Sequence, residues 1–409
     1  MADVLGRHAP SAGKAIPQLD ALRGIGIVSV FVQHLGDRYK VLIERLVDAQ
    51  LPAPVRPWIM TVLNHAWWGV DLFFVLSGFS LGLAYLRAFD KTGAPPSARH
   101  FFMRRAARIL PGFWLALALV LVVRHSVMSE PGFPASLLVH LGLLQGYIAP
   151  GGITLIGASW TLTTEGHFYL LFPLLALPLL ARRRWKLGLA ICVAGWLVRA
   201  GLHALVLEPG VRTGAWELTQ RRLIVSRLDQ FVLGSLAALA YVEIERAGKS
   251  ARFARIAPGA LVVAAIVLVI GFRLEGELFL DPGGSWPYAI LSLATTAIVL
   301  GAALLDGRAA ALFTPAPLIA IGVVSYGVFL NHQLILGYVD WFAPFESREP
   351  SWARLAFVGS VTFLLSLLVG LASWRLVELP SIRWVGRITR PAQGGPNVAK
   401  VSRSGGGQG

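Results

Sequence analysis

The sequence predicts an all-α polytopic membrane protein of about ten transmembrane helices with a polar cavity, and three observations predict it. Hydrophobic residues fill 55% of the 409 positions and charged residues only 14%, and mean hydropathy is +0.64, which excludes an ordinary soluble globule. The apolar residues fall in runs of roughly 17 to 25, the length that crosses a hydrocarbon core as a helix. Costly polar side chains recur inside those runs, and a bilayer tolerates them only around protein or a shared wet space.

The first span, 19–38, follows a tail, 1–18, that carries Arg7 and Lys14. Arg23 interrupts its apolar stretch and no small-residue cleavage pattern follows, so it reads as an uncleaved helix and not a signal peptide. The second span, 66–88, has Gly78 and Gly82 four apart, a spacing for close helix packing. The third, 110–128, is preceded by Arg104, Arg105 and Arg108, of which Arg105 and Arg108, three apart on an interfacial helix, project a positive pair just before Pro111. Between 136 and 150 the apolar run is too short to cross and ends in Pro150, Gly151 and Gly152, which reads as a re-entrant or interfacial segment. Further spans are expected at 158–181, 187–207, 222–243, 258–273, 286–305, 317–338 and 353–377, with Trp67, Trp68 and Trp286 in an interfacial belt. Residues 19–380 thus form one transmembrane domain. Residues 381–409 form a basic, Gly- and Ser-rich tail that reads as disordered from Pro391 onward, with no second soluble domain after the last span. No internal repeat is visible.

The net charge of +15 and pI near 10.7 are topology information: Lys and Arg concentrate in the links 87–108, 182–186 and 246–255 and in the tail with Arg383, Arg387 and Arg390. That bias predicts both termini in the cytoplasm, and no nucleic-acid motif accompanies it. Cys192 is the sole cysteine, so no intrachain disulfide or thiolate metal site is expected.

Arg23 and His34 stand eleven residues apart on the first span. At about 100° and 1.5 Å per residue they share a helix face while lying ~16 Å apart along the axis. One helix thus offers a fixed cation near one surface and a titratable imidazole deep in the bilayer; for either alone, snorkelling or core hydrogen bonding is the rival reading. By span position Asp71, Glu165, His167, Arg227, Asp229, Asn331 and His332 join His34 at one outer level, with helix-to-helix hydrogen bonding as the rival. Arg227 and Asp229, two apart, do not face each other and are each expected to pair with neighbours. Arg105 and Arg108 suit either a positive-inside signal or a phosphate clamp, since guanidinium forks match phosphate oxygens.

These residues resemble the membrane-bound acyltransferase-3 family. Leu19-Asp20-Ala21-Leu22-Arg23-Gly24 running to His34 is similar to the family's Arg, ten residues, His opening; Gly69 to Phe79 resembles its second-span motif; Arg104 to Pro111 resembles its Arg-x-x-Arg segment. Ser159-Trp160-Thr161-Leu162-Thr163-Thr164-Glu165, continuing to Tyr169, and Ser325-Tyr326 to His332 resemble two later motifs. One departure is Gly166, where the family often has a second acid after Glu165.

The resemblance implies transfer of an acyl group, usually acetyl from acetyl-coenzyme A, to a hydroxyl of an extracytoplasmic glycan or other glycosylated acceptor, by a multi-pass protein of the inner (plasma) membrane. Acyl-coenzyme A is then a donor substrate, not a bound cofactor, and no metal is required. Arg23 with Arg104, Arg105 and Arg108 would meet the donor's nucleotide end. His34 would be general base, or nucleophile in an acyl-histidine route. Glu165 or Asp229 would orient the imidazole or the acceptor, and Asp71, Trp160, Tyr169, Arg227, Tyr326 and His332 would line the cavity or meet the acceptor. A transporter or exporter of a lipid-linked glycan or small solute is the rival from another class, and a membrane scaffold is weaker because it leaves the polar level unused.

Overall fold

The computed structural model describes residues 15–148, 152–206, 222–278, 287–343 and 351–389. The expectations for Arg7, Lys14, Pro150, Gly151, Trp286, Arg390 and the tail beyond fall outside them. All regular structure among the described residues is helical, which makes this an all-α polytopic membrane protein. The helices are α1 (Pro17–Arg38), α2 (Lys40–Gln50), α3 (Arg56–Asn64), α4 (Trp68–Thr92), α5 (Ala98–Val123), α6 (Phe133–Leu141), α7 (Trp160–Ala176) and α8 (Trp185–Val206). After them come α9 (Leu228–Arg246), α10 (Ser250–Leu278), α11 (Pro287–Leu304), α12 (Gly307–Phe313), α13 (Ala316–Trp341), α14 (Trp352–Ser373) and α15 (Leu379–Ile388).

Eight helical stretches among the described residues are long and apolar enough to cross a membrane. The two remaining expected spans are present as α1 and α9, which carry Asp20, Arg23, His34, Asp37 and Arg38, and Asp229, Glu243, Glu245 and Arg246. Their polarity follows from their position, because both pack inside the bundle against α4. Glycines make that packing close. A Cβ at Gly78 would stand 2.1 Å from the Phe231 carbonyl oxygen and one at Gly234 2.2 Å from that of Val75, so α4 and α9 run with their backbones touching. Phe231 then stacks on Phe168 at 4.1 Å between ring centroids, tying α7 to the pair. In the same way α1 meets α13, where a Cβ at Gly322 would fall 1.8 Å from the Asp20 carbonyl oxygen.

Two expectations need correction. The arginines before Pro111 do not lie on a separate interfacial helix: α5 runs unbroken from Ala98 to Val123 with Pro111 inside it, and ends before the expected 128. Proline lacks one N–H but keeps a helix-compatible φ, and here the surrounding packing carries the helix through it. The last span is also longer than expected. A π turn, Trp374–Glu378, links α14 to α15 and makes one helical element from Trp352 to Ile388. Pro380 explains the turn, since it cannot donate to the carbonyl four residues earlier; a second π turn, Leu177–Ala181, likewise contains Pro178. Between the first two spans, α2 and α3 pack on each other and on α1.

Among the described residues near 136–150 no helix is long and apolar enough to cross. Helix α6 has nine residues, about 14 Å at the helical rise, and the turns after it are satisfied inside the protein. Buried His140 takes the Leu155 N–H at 3.2 Å on Nε2, Gln145 donates to the Ser159 carbonyl at 2.8 Å, and the Gly146 N–H reaches the Thr163 hydroxyl at 2.9 Å.

Candidate active site

The polar groups of the spans form three clusters, not one level. The first surrounds Arg23. Its Nη1 pairs with Asp20 at 2.6 Å and its Nη2 donates to the Ser80 hydroxyl at 3.0 Å. Ser77, three residues earlier and so on the same face of α4, donates to Glu165 Oε1 at 2.9 Å. The Tyr169 hydroxyl, one turn along α7, donates to the same oxygen. The Arg105 guanidinium lies over the Tyr169 ring, 5.8 Å from its centroid, with its Nε unpartnered among the described residues. Arg108 is half-buried on the same helix and interacts electrostatically with Glu378. Glu378 is held in the π turn by Ser373 at 2.8 Å. Tyr326 reaches across from α13 to the Ile109 carbonyl at 2.8 Å, and Gly112 leaves room for it. Arg104 is exposed at the margin.

The second cluster surrounds His34 at the other end of α1. The Gln333 amide nitrogen lies 3.2 Å from each ring nitrogen, so its N–H donates to whichever holds the lone pair. Asp37, one turn on, stands 3.8 Å from Nδ1. The imidazole of His332 is tilted against that of His34 at 5.1 Å between centroids. His332 is fully buried and its Nδ1 lies 2.9 Å from the Phe329 carbonyl and 3.1 Å from that of Val328. The Nδ1–H donates there, which leaves the lone pair on Nε2, an atom without a partner among the described residues. Just beyond, Arg38, Tyr39 and Arg354 all converge on Asp340, with the Tyr39 hydroxyl donating at 2.6 Å and Arg354 Nη2 at 2.9 Å. That knot ties the ends of α1, α13 and α14. Burial, with the Asp340 hydrogen bond second, pushes the Tyr39 phenol up to about 12, so it stays a donor at neutral pH.

The third cluster is closed. Arg227 and Asp71 pair at 2.7 Å with both side chains 1% exposed. Asp229 accepts from Trp196 Nε1 at 2.8 Å and from Ser292 at 2.6 Å, while Arg199 lies 4.3 Å over the Tyr288 ring and donates to the Ser226 carbonyl. Removing one partner of such a buried pair typically costs about 3–5 kcal/mol, which makes the cluster a means of holding α4, α8, α9 and α11 in register.

Of the expected site residues, Arg23, Arg105, Arg108, Tyr169, Tyr326 and Glu165 therefore meet, His34 and His332 meet elsewhere, and Asp71, Arg227 and Asp229 meet in the closed cluster. Neither Glu165 nor Asp229 has a hydrogen bond to His34. Trp160 packs half-buried at the start of α7, and Asn331 donates back to its own helix at the Gly327 carbonyl, 2.9 Å. Glu165 lies deeper than its sequence position implied because α7 begins only after the non-helical stretch at 153–156 has already entered the protein. Gly166 has open space where a side chain would stand, so the missing second acid breaks no contact. Sequence reading missed Gln333, Glu378, Ser77 and Ser80; the three-residue spacing of the two serines was a usable signal, while a neutral amide beside a histidine gives none.

The family of acyltransferase-3 domains, described as an acyltransferase domain, matches residues 16–371. The chain belongs to this family. Acyltransferase-3 relatives with which it aligns include the peptidoglycan O-acetyltransferase OatA of Listeria monocytogenes, 25% identical over 396 residues that cover 90% of this chain and 56% of the relative. The O-acetyltransferase OatA of Staphylococcus aureus is 24% identical over 385 residues, 89% of this chain and 57% of the relative. This acyltransferase-3 chain thus spans little more than half the length of those relatives. No solved structure matches it.

Proposed function

We propose that this membrane acyltransferase is an O-acyltransferase that takes an acyl group, acetyl in the first instance, from cytoplasmic acyl-coenzyme A to a hydroxyl of an extracytoplasmic glycan or other glycosylated acceptor. It acts in the inner (plasma) membrane with both termini in the cytoplasm. The observation that carries the reading is α1 itself, one uninterrupted helix with the Arg23 cluster at one end and His34 at the other. The O-acetyltransferase names of its relatives support it.

In this reading Arg23, Arg105 and Arg108 hold the donor's phosphates through charge-assisted hydrogen bonds. Glu165 fixes Tyr169 beneath Arg105 and so steadies that guanidinium; it acts at the donor end. His34 takes the proton from the acceptor hydroxyl as that oxygen attacks the thioester carbon. The new C–O bond forms, the C–S bond breaks, and coenzyme A leaves as a thiolate that recovers the proton from the imidazolium. The test is acetyl-coenzyme A consumption by purified protein with acceptor glycan. The wild type should release coenzyme A and form an ester, and folded His34→Ala should fall by at least about a hundredfold. Near-normal transfer by His34→Ala would overturn the role of His34, and solute movement without donor consumption would favour a carrier.

A further inference from the structure

A cavity of about 560 Å³ opens between α5, the non-helical stretch before α7, and the last turns of α13. Its volume lies in the range of small-ligand sites. Its lining includes half-buried Gln333, which hydrogen-bonds His34, and Gly157. Its lip is aromatic: Tyr338, Trp341 and Phe342 are 37%, 62% and 71% exposed. Tyr338 is fixed there by its hydroxyl bond to the Val123 carbonyl at 2.9 Å and by stacking on Phe342 with ring planes 18° apart. Arg124 adds a cation to the rim.

We propose that this cavity is the acceptor subsite, and that it takes a single sugar ring, laid on the aromatic lip, whose hydroxyl passes Gln333 to reach His34. The inference rests on the acyl-transfer reading above. A sugar ring has a C–H face that packs on aromatic rings and a rim of hydroxyls that needs donors and acceptors, and the cavity supplies both in that order from mouth to floor. A lipid chain would use the lip and leave Gln333 and Arg124 without purpose. An interfacial belt accounts for the aromatics alone, not for a cavity that ends on the partner of the imidazole. Two glycines keep the path open. A Cβ at Gly157 would come 2.5 Å from Gln333 Oε1 and displace that side chain, whereas one at Gly337, on the cavity wall, meets nothing within 4 Å.

That open space provides the test. Gly337→Trp has free room at its Cβ and carries an indole on the cavity wall, and Gly259→Trp, with the same free room at Cβ but on α10, is the control. Purified proteins are titrated calorimetrically with chitotriose, maltotriose and mannotriose, and transfer from acetyl-coenzyme A to whichever trisaccharide binds is measured. Gly337→Trp should weaken trisaccharide binding and raise the acceptor KM by about tenfold or more, with the KM for acetyl-coenzyme A unchanged. Phe342→Ala and Trp341→Ala should do so by roughly threefold or more. Gly259→Trp should match the wild type. Wild-type binding of none of the three sugars, or an unchanged affinity in Gly337→Trp, would overturn the subsite. Sugar binding lost in Gly337→Trp in a protein that consumes no acetyl-coenzyme A would instead overturn the transfer reading and keep the subsite.

Discussion

Arg23 is held by one carboxylate and one hydroxyl at its two terminal nitrogens, which leaves a fork's geometry defined before any donor arrives. Arg105 is similarly placed, propped on a tyrosine face with Nε unpartnered. In the proposed reading both meet the donor's phosphate oxygens, and the expected outcome of removing either is lost donor affinity. Arg23→Ala, and separately Arg105→Ala with Arg108→Ala, should weaken coenzyme A binding by roughly ten- to a hundredfold, the worth of one or two charge-assisted hydrogen bonds. Arg23→Lys should recover only part of that, since an ammonium cannot bridge Asp20, Ser80 and a ligand as a planar fork does. Calorimetric titration with coenzyme A is the check, and equal affinities across the series would remove the arginines from the donor site. At this scale the sequence was informative where residues are ionisable. Arg23, His34, Arg105 and Glu165 announce themselves by their cost in a membrane, whereas Gln333 carries no charge and becomes visible only when α13 is laid beside α1.

Among the elements, α1 and α13 carry the site between them. They run in the same direction, crossing at Gly24 and Gly322 and knotted together again where Tyr39 meets Asp340. A methyl group at Gly322 has no room, so Gly322→Ala should destabilise the protein by about 1–3 kcal/mol and lower its thermal midpoint in detergent. Gly259→Ala, which faces open space inside α10, should leave stability unchanged or raise it by up to about 1 kcal/mol, with no fall in the midpoint. Equal midpoints would mean that the crossing is loose. Span positions were legible because an apolar run is a property of adjacent residues, and even α1 and α9 stand out despite their charges. The α2 and α3 pair was not legible: each is short and amphipathic, and neither contains an apolar run long enough to register. The depth of Glu165 was misread for a related reason, since hydropathy does not reveal that the chain enters the protein unwound before α7 begins.

The whole molecule is polarised. Asp90, Arg183, Glu243 and Arg246 form ion pairs at the end that holds Arg23, and the Asp340 knot with the aromatic cavity lies at the other. If the basic end is cytoplasmic, a single cysteine at Ala94 should resist a membrane-impermeant thiol reagent in intact cells and one at Phe342 should react, in a Cys192→Ala background. Both positions are exposed, so labelling reports sidedness. The reverse pattern would place the acceptor in the cytoplasm. Because α1 is unbroken from Pro17 to Arg38 and pinned to α13 at both ends, the interval between its cation and its imidazole is a built-in length, about 16 Å by the helical rise. Under the proposed acyl transfer from coenzyme A, the protein gauges its donor as a calliper does. A thioester on a shorter stalk stops short of the imidazole however firmly its phosphates are gripped, and choosing whole coenzyme A over its fragments requires no residue that touches the stalk, only the pitch of one helix.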